Sequence, residues 1–243
     1  MSKPVVEEEW PEFVQLKEQV IALWFELKIF QGLFCEDENR VALLDKSANH
    51  FFYSLNFTIP NNLLRILSAI YDNPQTGSNA NITVEGIALV SKTWISSDPC
   101  KKIAALLASS AEAKGKLRKF RNKKLSHLDH KVHLGLSQVQ GLKRFEIELL
   151  SKTASDILNT IESDLFKSTT SYEQCISRAP NDILSCLESH MFLRTLQIHI
   201  RDKKMSTENA GMIISQGLHG HEWRLWCNNN DLDPKHYLPV ATS

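Results

Sequence analysis

The stretch KGKLRKFRNKKLSHLDH, residues 114–130, decides how this chain is read. Its apolar residues Leu117, Phe120, Leu125 and Leu128 recur at helical spacing. Upstream, Ile103, Leu106, Leu107, Ser110 and Ala113 keep the same period. Ser97 or Asp98 before Pro99 has the chemistry of a helix start, with proline in the first turn. The spacing therefore predicts one long helix from there to about residue 134. It also gathers the cations Lys114, Lys116, Arg118, Lys119, Arg121, Lys123 and Lys124, with no acidic residue among them.

Similar patterns lie on both sides. Leu16, Val20, Leu23, Leu27, Phe30 and Phe34 form one stripe of a helix over about residues 10–35. Val41, Leu44, Ala48, Phe51 and Leu55 mark a second helix, which Leu63, Ile66, Leu67 and Ile70 extend past Pro60. A proline inside a helix bends it, so a bend is expected there. The segment YDNPQTGSNAN, residues 71–81, reads as a loop, and VEGIALVSKTWI, residues 84–95, as a short apolar piece. Leu142, Phe145, Leu149, Leu150, Ala154, Ile157, Leu158, Ile161 and Leu165 mark a last strong helix. The polar segment KSTTSYEQ, residues 167–174, reads as a linker, and residues 181–228 as two or three shorter helices. Four long amphipathic helices predict an all-α antiparallel bundle over residues 10–168. Residues 175–243 are then a short C-terminal helical extension with no assigned role.

The chain has 243 residues, enough for one good core, and its 42% hydrophobic and 23% charged content is ordinary for a globular protein. Twenty-eight cationic and 28 acidic residues cancel, so any attraction for nucleic acid must come from a local patch. The apolar run IALWFELKIFQGLF is broken by Glu26 and Lys28 and is too short for a bilayer, and no membrane partner is expected. The N-terminus is acidic and lacks the apolar region of a secretory signal. Five widely spaced cysteines without a CxxC pair read as reduced thiols, so a cytoplasmic location is expected.

One wheel position stands apart. At about 100° per residue, Leu117, Leu125 and Leu128 surround the direction of Arg121. Arg121 thus lies along the apolar stripe, where a guanidinium is costly unless it is paired or faces a cavity. His127 sits on the other margin, beside Phe120. In a straight helix the two are about 120° and about 9 Å apart, so they converge only through arginine's reach, a helix distortion or a second subunit. If they converge, histidine can exchange a proton near neutral pH and arginine can hold a phosphate. That pair suits attack of an RNA 2′-hydroxyl on its own phosphodiester, which needs no metal. Asn122 is a candidate bond donor to phosphate or ribose, and Asp129 a candidate orienting group. The simpler rival is a solvated helix face.

Arg121, Asn122 and His127 on the third long helix resemble the HEPN superfamily signature of arginine, four to six residues, then histidine. The run RNKKLSHLD is similar to the subgroup related to AbiU-type abortive-infection proteins, with Ser126 before the histidine and Asp129 two after it. The resemblance spans about residues 10–168 and implies a helical bundle that pairs as a homodimer with a composite cleft. It implies a metal-independent endoribonuclease of a phage-defence or toxin–antitoxin type, with an antitoxin or regulatory protein as a possible partner. Arg121 and His127 would be catalytic, Asn122 and Asp129 supporting, and Lys114, Lys116, Arg118, Lys119, Lys123 and Lys124 an RNA-binding patch. The alternative is a non-catalytic HEPN module that binds nucleotide, nucleic acid or a partner protein. Nucleotidyltransferase-regulated relatives carry a tyrosine two residues after the histidine; Asp129 stands there, which argues against that control.

No metal or other cofactor is expected. His127, His130 and His133 sweep around a helix rather than sharing a face, and His219 and His221 beside Glu222 complete no metal motif. There is no glycine-rich phosphate loop and no GxSxG.

Overall fold

The computed structural model describes residues 3–125, 141–174, 179–202 and 204–215. The chain is all-α, with eight α-helices among the described residues and one minimal hairpin. It divides into two compact units: Met1–Lys28 with Thr58–Ile176, and Ile29–Phe57 with Ser177–Ser243.

The first unit holds the basic segment. Helix α1 spans Pro11–Phe34 and gives its first part to this unit. Phe13, Leu16, Val20 and Leu23 are fully buried, so the predicted stripe faces the core. Helix α2 spans Glu38–Ile70, and its last turns bury Leu63, Ile66, Leu67 and Ile70. The non-helical backbone inside α2 is at Ala48, with φ −158° and ψ 66°. The expected bend at Pro60 is thus not where the dihedrals depart from helical values. Proline at that position lies inside the helix.

The loop after α2 folds into a hairpin, β1 Gln75–Thr76 and β2 Asn79–Ala80. Gly77 turns it at φ +60°, a conformation that glycine adopts without a steric penalty. Helix α3, Val84–Ser91, is capped by Thr83, whose Oγ1 accepts from the Gly86 N–H at 3.0 Å. The predicted long helix is two helices: α4, Ser97–Ser109, and α5, Ala111–Phe120. Ser110, at φ −95° and ψ −1°, breaks them while its hydroxyl donates back to the Leu106 carbonyl at 3.1 Å. A serine can satisfy local backbone groups in this way, which apolar periodicity does not register.

Helix α6, Arg144–Leu165, is the central element, in contact with α3, α4 and α5. Leu150, Ala154, Ile157, Leu158 and Ile161 are fully buried on it. Asp164 fixes the start of α4 by accepting from the Ser96 N–H at 2.9 Å. The segment read as a linker is pinned to α6. Asn159 donates to the Thr170 carbonyl at 3.0 Å and accepts from the Thr170 N–H at 2.8 Å. Tyr172 is buried beyond it.

In the second unit, Leu33, Leu44, Phe52 and Leu184 form a small core. It includes α7, Ala179–Arg201, longer than the short helices expected, and α8, Thr207–Ser215, follows. Gly32 lies against Pro180, and a Cβ on Gly32 would meet the proline ring carbons at 2.6 and 2.8 Å. The ring cannot rotate away, so Gly32→Ala is expected to destabilise this unit by about 1–3 kcal/mol, measured by chemical denaturation.

Candidate functional site

Arg121 follows directly on α5 and begins a π-turn, Arg121–Leu125. Such turns are uncommon and recur at functional sites. They also change the rotation per residue, so straight-helix spacing does not hold over Arg121–Leu125. His127 and Asp129 lie outside the described residues, as do His130, His133, His219, His221 and Glu222.

The guanidinium is partly buried, with its side chain 22% exposed. Its Nη1 is 2.6 Å from the Asp72 carboxylate, just beyond the end of α2. Its Nε donates to the Asn122 side-chain oxygen at 3.1 Å. The partial burial agrees with the wheel position of Arg121, and its cost is met by an acid from the loop after α2. The Asn73 N–H also donates to Asp72, at 2.8 Å. Burial alone would raise the Asp72 pKa. The bonds from Arg121 and Asn73, with the charges of Arg121 and Arg118, outweigh it and hold the carboxyl below its usual range. Asp72 is therefore an ionised anchor at neutral pH.

Arg121 borders a pocket lined by Ser68, Tyr71, Asp72, Asn73, Lys114, Leu117 and Arg118. Its empty volume is about 230 Å³, counted with the open solvent above it. The Tyr71 hydroxyl donates to the Leu150 carbonyl at 2.7 Å and ties the end of α2 to α6. Burial, with the Glu85 charge beside it, pushes that phenol far above its ordinary pKa, so it remains a donor.

The cationic run is not uniform. Lys114 pairs with Glu85. Lys116 pairs with Glu112 at 2.8 Å and with the buried Glu146 at 2.6 Å, which pushes the amine up to about 12. These two lysines and Arg121 hold the fold together. Arg118, Lys119, Lys123 and Lys124 are exposed and make no ion pair among the described residues. Lys124 lies 5.7 Å from the Phe120 ring centroid, and Asn122 is exposed. The field that an approaching anion meets comes mainly from these four cations.

Sequence reading missed Asp72, Ser68 and Asn73. Asp72 sits in a loop of turn-forming residues, and nothing local marks it as the partner of a distant arginine. Among the described residues no group of three His, Cys, Asp or Glu could hold a metal ion, and no helix is long and apolar enough to cross a membrane.

An all-α fold with Arg121 and Asn122 at the end of its basic helix is that of a HEPN-type module. The chain belongs to the AbiU2 family of HEPN proteins, whose family model matches residues 11–183, more than half of its length. The match runs past residue 168 into the first turn of α7. No curated protein and no solved structure matches the chain.

Proposed function

We propose that the protein is a metal-independent endoribonuclease of a phage-defence or toxin–antitoxin type. One observation carries this reading: a partly buried arginine, anchored by Asp72, opens a π-turn beside four cations that make no ion pair among the described residues. The cations draw RNA in. Arg121 holds the scissile phosphate and stabilises charge as it builds on the non-bridging oxygens. His127 exchanges the proton, taking it from the attacking 2′-hydroxyl or giving it to the departing 5′-oxygen. The 2′-oxygen bonds to phosphorus as the P–O5′ bond breaks, leaving a 2′,3′-cyclic phosphate and a 5′-hydroxyl. Asn122 holds the arginine fork, and Asp129 orients the histidine. A homodimer forms the composite cleft, and an antitoxin or regulatory protein restrains it.

The second reading is a non-catalytic HEPN module that binds nucleotide, nucleic acid or a partner. The Arg121–Asp72 pair favours it, because it already engages part of the guanidinium.

The deciding assay is cleavage of mixed single-stranded and transfer RNA, with EDTA present, by the protein and by His127→Ala. A loss of about 10²–10⁴-fold in the variant, with cyclic phosphate ends from the wild type, supports the nuclease. Equal rates, or bound RNA left intact by both proteins, support the binding module.

A further inference from the structure

Serine hydroxyls within these helices ordinarily bond to the carbonyl one turn back. Ser47 donates to Leu43 at 2.7 Å, Ser151 to Ile147 at 2.8 Å and Ser155 to Ser151 at 3.2 Å. Ser68 does not. It is 7% exposed, and its Oγ is buried without a hydrogen-bond partner among the described residues. A buried hydroxyl left unmade is costly unless something else completes it. Ser68 also lines the pocket beside Arg121, with the hydroxyl on the stretch of α2 that leads to Asp72.

The charges around the pocket say what could complete it. Glu85 neutralises Lys114, and Asp72 neutralises Arg121. Arg118 lines the same pocket, is exposed and has no ion pair among the described residues. A surplus guanidinium beside an unused hydroxyl donor selects an oxyanion over a cation or an apolar group.

We infer that Ser68 and Arg118 form a subsite for a backbone phosphate of single-stranded RNA, next to the phosphate that Arg121 engages. The inference rests on the ribonuclease reading for the source of the phosphate. Ser68 donates to one non-bridging oxygen, and Arg118 closes on the same group from the solvent side. Asp72 holds Arg121 in place and stands opposite the incoming charge. The subsite would thus set where along the strand the scissile phosphate falls.

The test uses the full-length protein and two probes: inorganic phosphate, and a 2′-O-methyl oligouridylate that cannot be cleaved. Affinities are read by calorimetry at several salt concentrations, and unfolding temperatures without ligand. Ser68→Ala is expected to weaken both probes about tenfold or more, the loss of a hydrogen bond to a charged group. Without ligand it should melt no lower than wild type, since no bond among the described residues uses that hydroxyl. Arg118→Ala is expected to lower the salt slope of oligouridylate binding by roughly 0.7. Unchanged affinities in both variants would overturn the subsite. So would a lower melting temperature for Ser68→Ala, which would return the hydroxyl to the helix. Weakening of inorganic phosphate alone would overturn RNA as the source in favour of a free phosphate ligand. Neither probe turns over, so these results stand apart from whether the protein cleaves RNA.

Discussion

Arg121→Ala is expected to cut RNA cleavage by about 10²–10³-fold, the usual cost of removing one donor that stabilises charge in the transition state. Arg121→Lys should recover little of that. An ammonium has no planar fork, and it cannot hold Asp72 and a phosphate with separate nitrogens. In the wild type, Asp72 takes Nη1 at 2.6 Å and Asn122 takes Nε at 3.1 Å, which leaves Nη2 without a partner among the described residues. Asp72→Asn keeps the shape but removes the charge that fixes this arrangement. Its effect should fall on kcat more than on KM, because the exposed cations still recruit RNA. The pH dependence follows the same logic. The Asp72 carboxyl is held below its usual range, so the pair is intact above it and comes apart as pH falls through the folded-state value. Steady-state rates of the three variants across pH check this. An Arg121→Ala enzyme that cleaves at the wild-type rate would remove the arginine from the chemistry.

Helices were legible in the sequence wherever one face is buried along an undistorted segment. Leu16, Val20, Leu23 and Leu27 keep the stripe and are all buried, as are Leu63, Ile66, Leu67 and Ile70. The reading failed where the backbone leaves the 3.6-residue period. The stripe Val41, Leu44, Ala48, Phe51 passes through the non-helical Ala48; beyond it Phe52 is buried and Phe51 is 59% exposed. One such residue rotates every later side chain. Phe145 and Leu149, which read as core, are exposed, while Glu146 turns inward to meet Lys116. An ion pair between helices overrides hydropathy there, and no local pattern shows it. The site was legible to the same degree. The wheel identified Arg121 as the odd cation, because helical geometry is local. Asp72 and Ser68 were invisible, because their proximity to the arginine is a tertiary fact. The charge count overstated the patch for the same reason, since it could not know that Glu85, Glu112 and Glu146 answer two of its lysines.

Lys17→Met is expected to cost about 3–5 kcal/mol, the largest effect on stability in the first unit. Glu162 on α6 is fully buried, with one carboxylate oxygen 2.6 Å from the Lys17 amine on α1 and 3.1 Å from the Thr170 hydroxyl. The other oxygen has no hydrogen-bond partner among the described residues. Lys17 also bonds to Glu7, at 2.8 Å. Methionine fills the same volume but leaves a bare carboxylate in the core. The double variant Lys17→Met/Glu162→Gln should therefore regain most of the loss, because the amide is neutral and can still accept from Thr170. In the wild type the sign is set by Lys17. Burial pulls its pKa down, but the bonds and charges of Glu162 and Glu7 outweigh that and raise it above 10.5. Its contribution is thus fully present below that value and is lost as pH rises through the higher folded-state value. Urea unfolding of the three proteins across pH separates the outcomes. A double variant as unstable as Lys17→Met would mean that lost packing, not the unpaired charge, carries the cost.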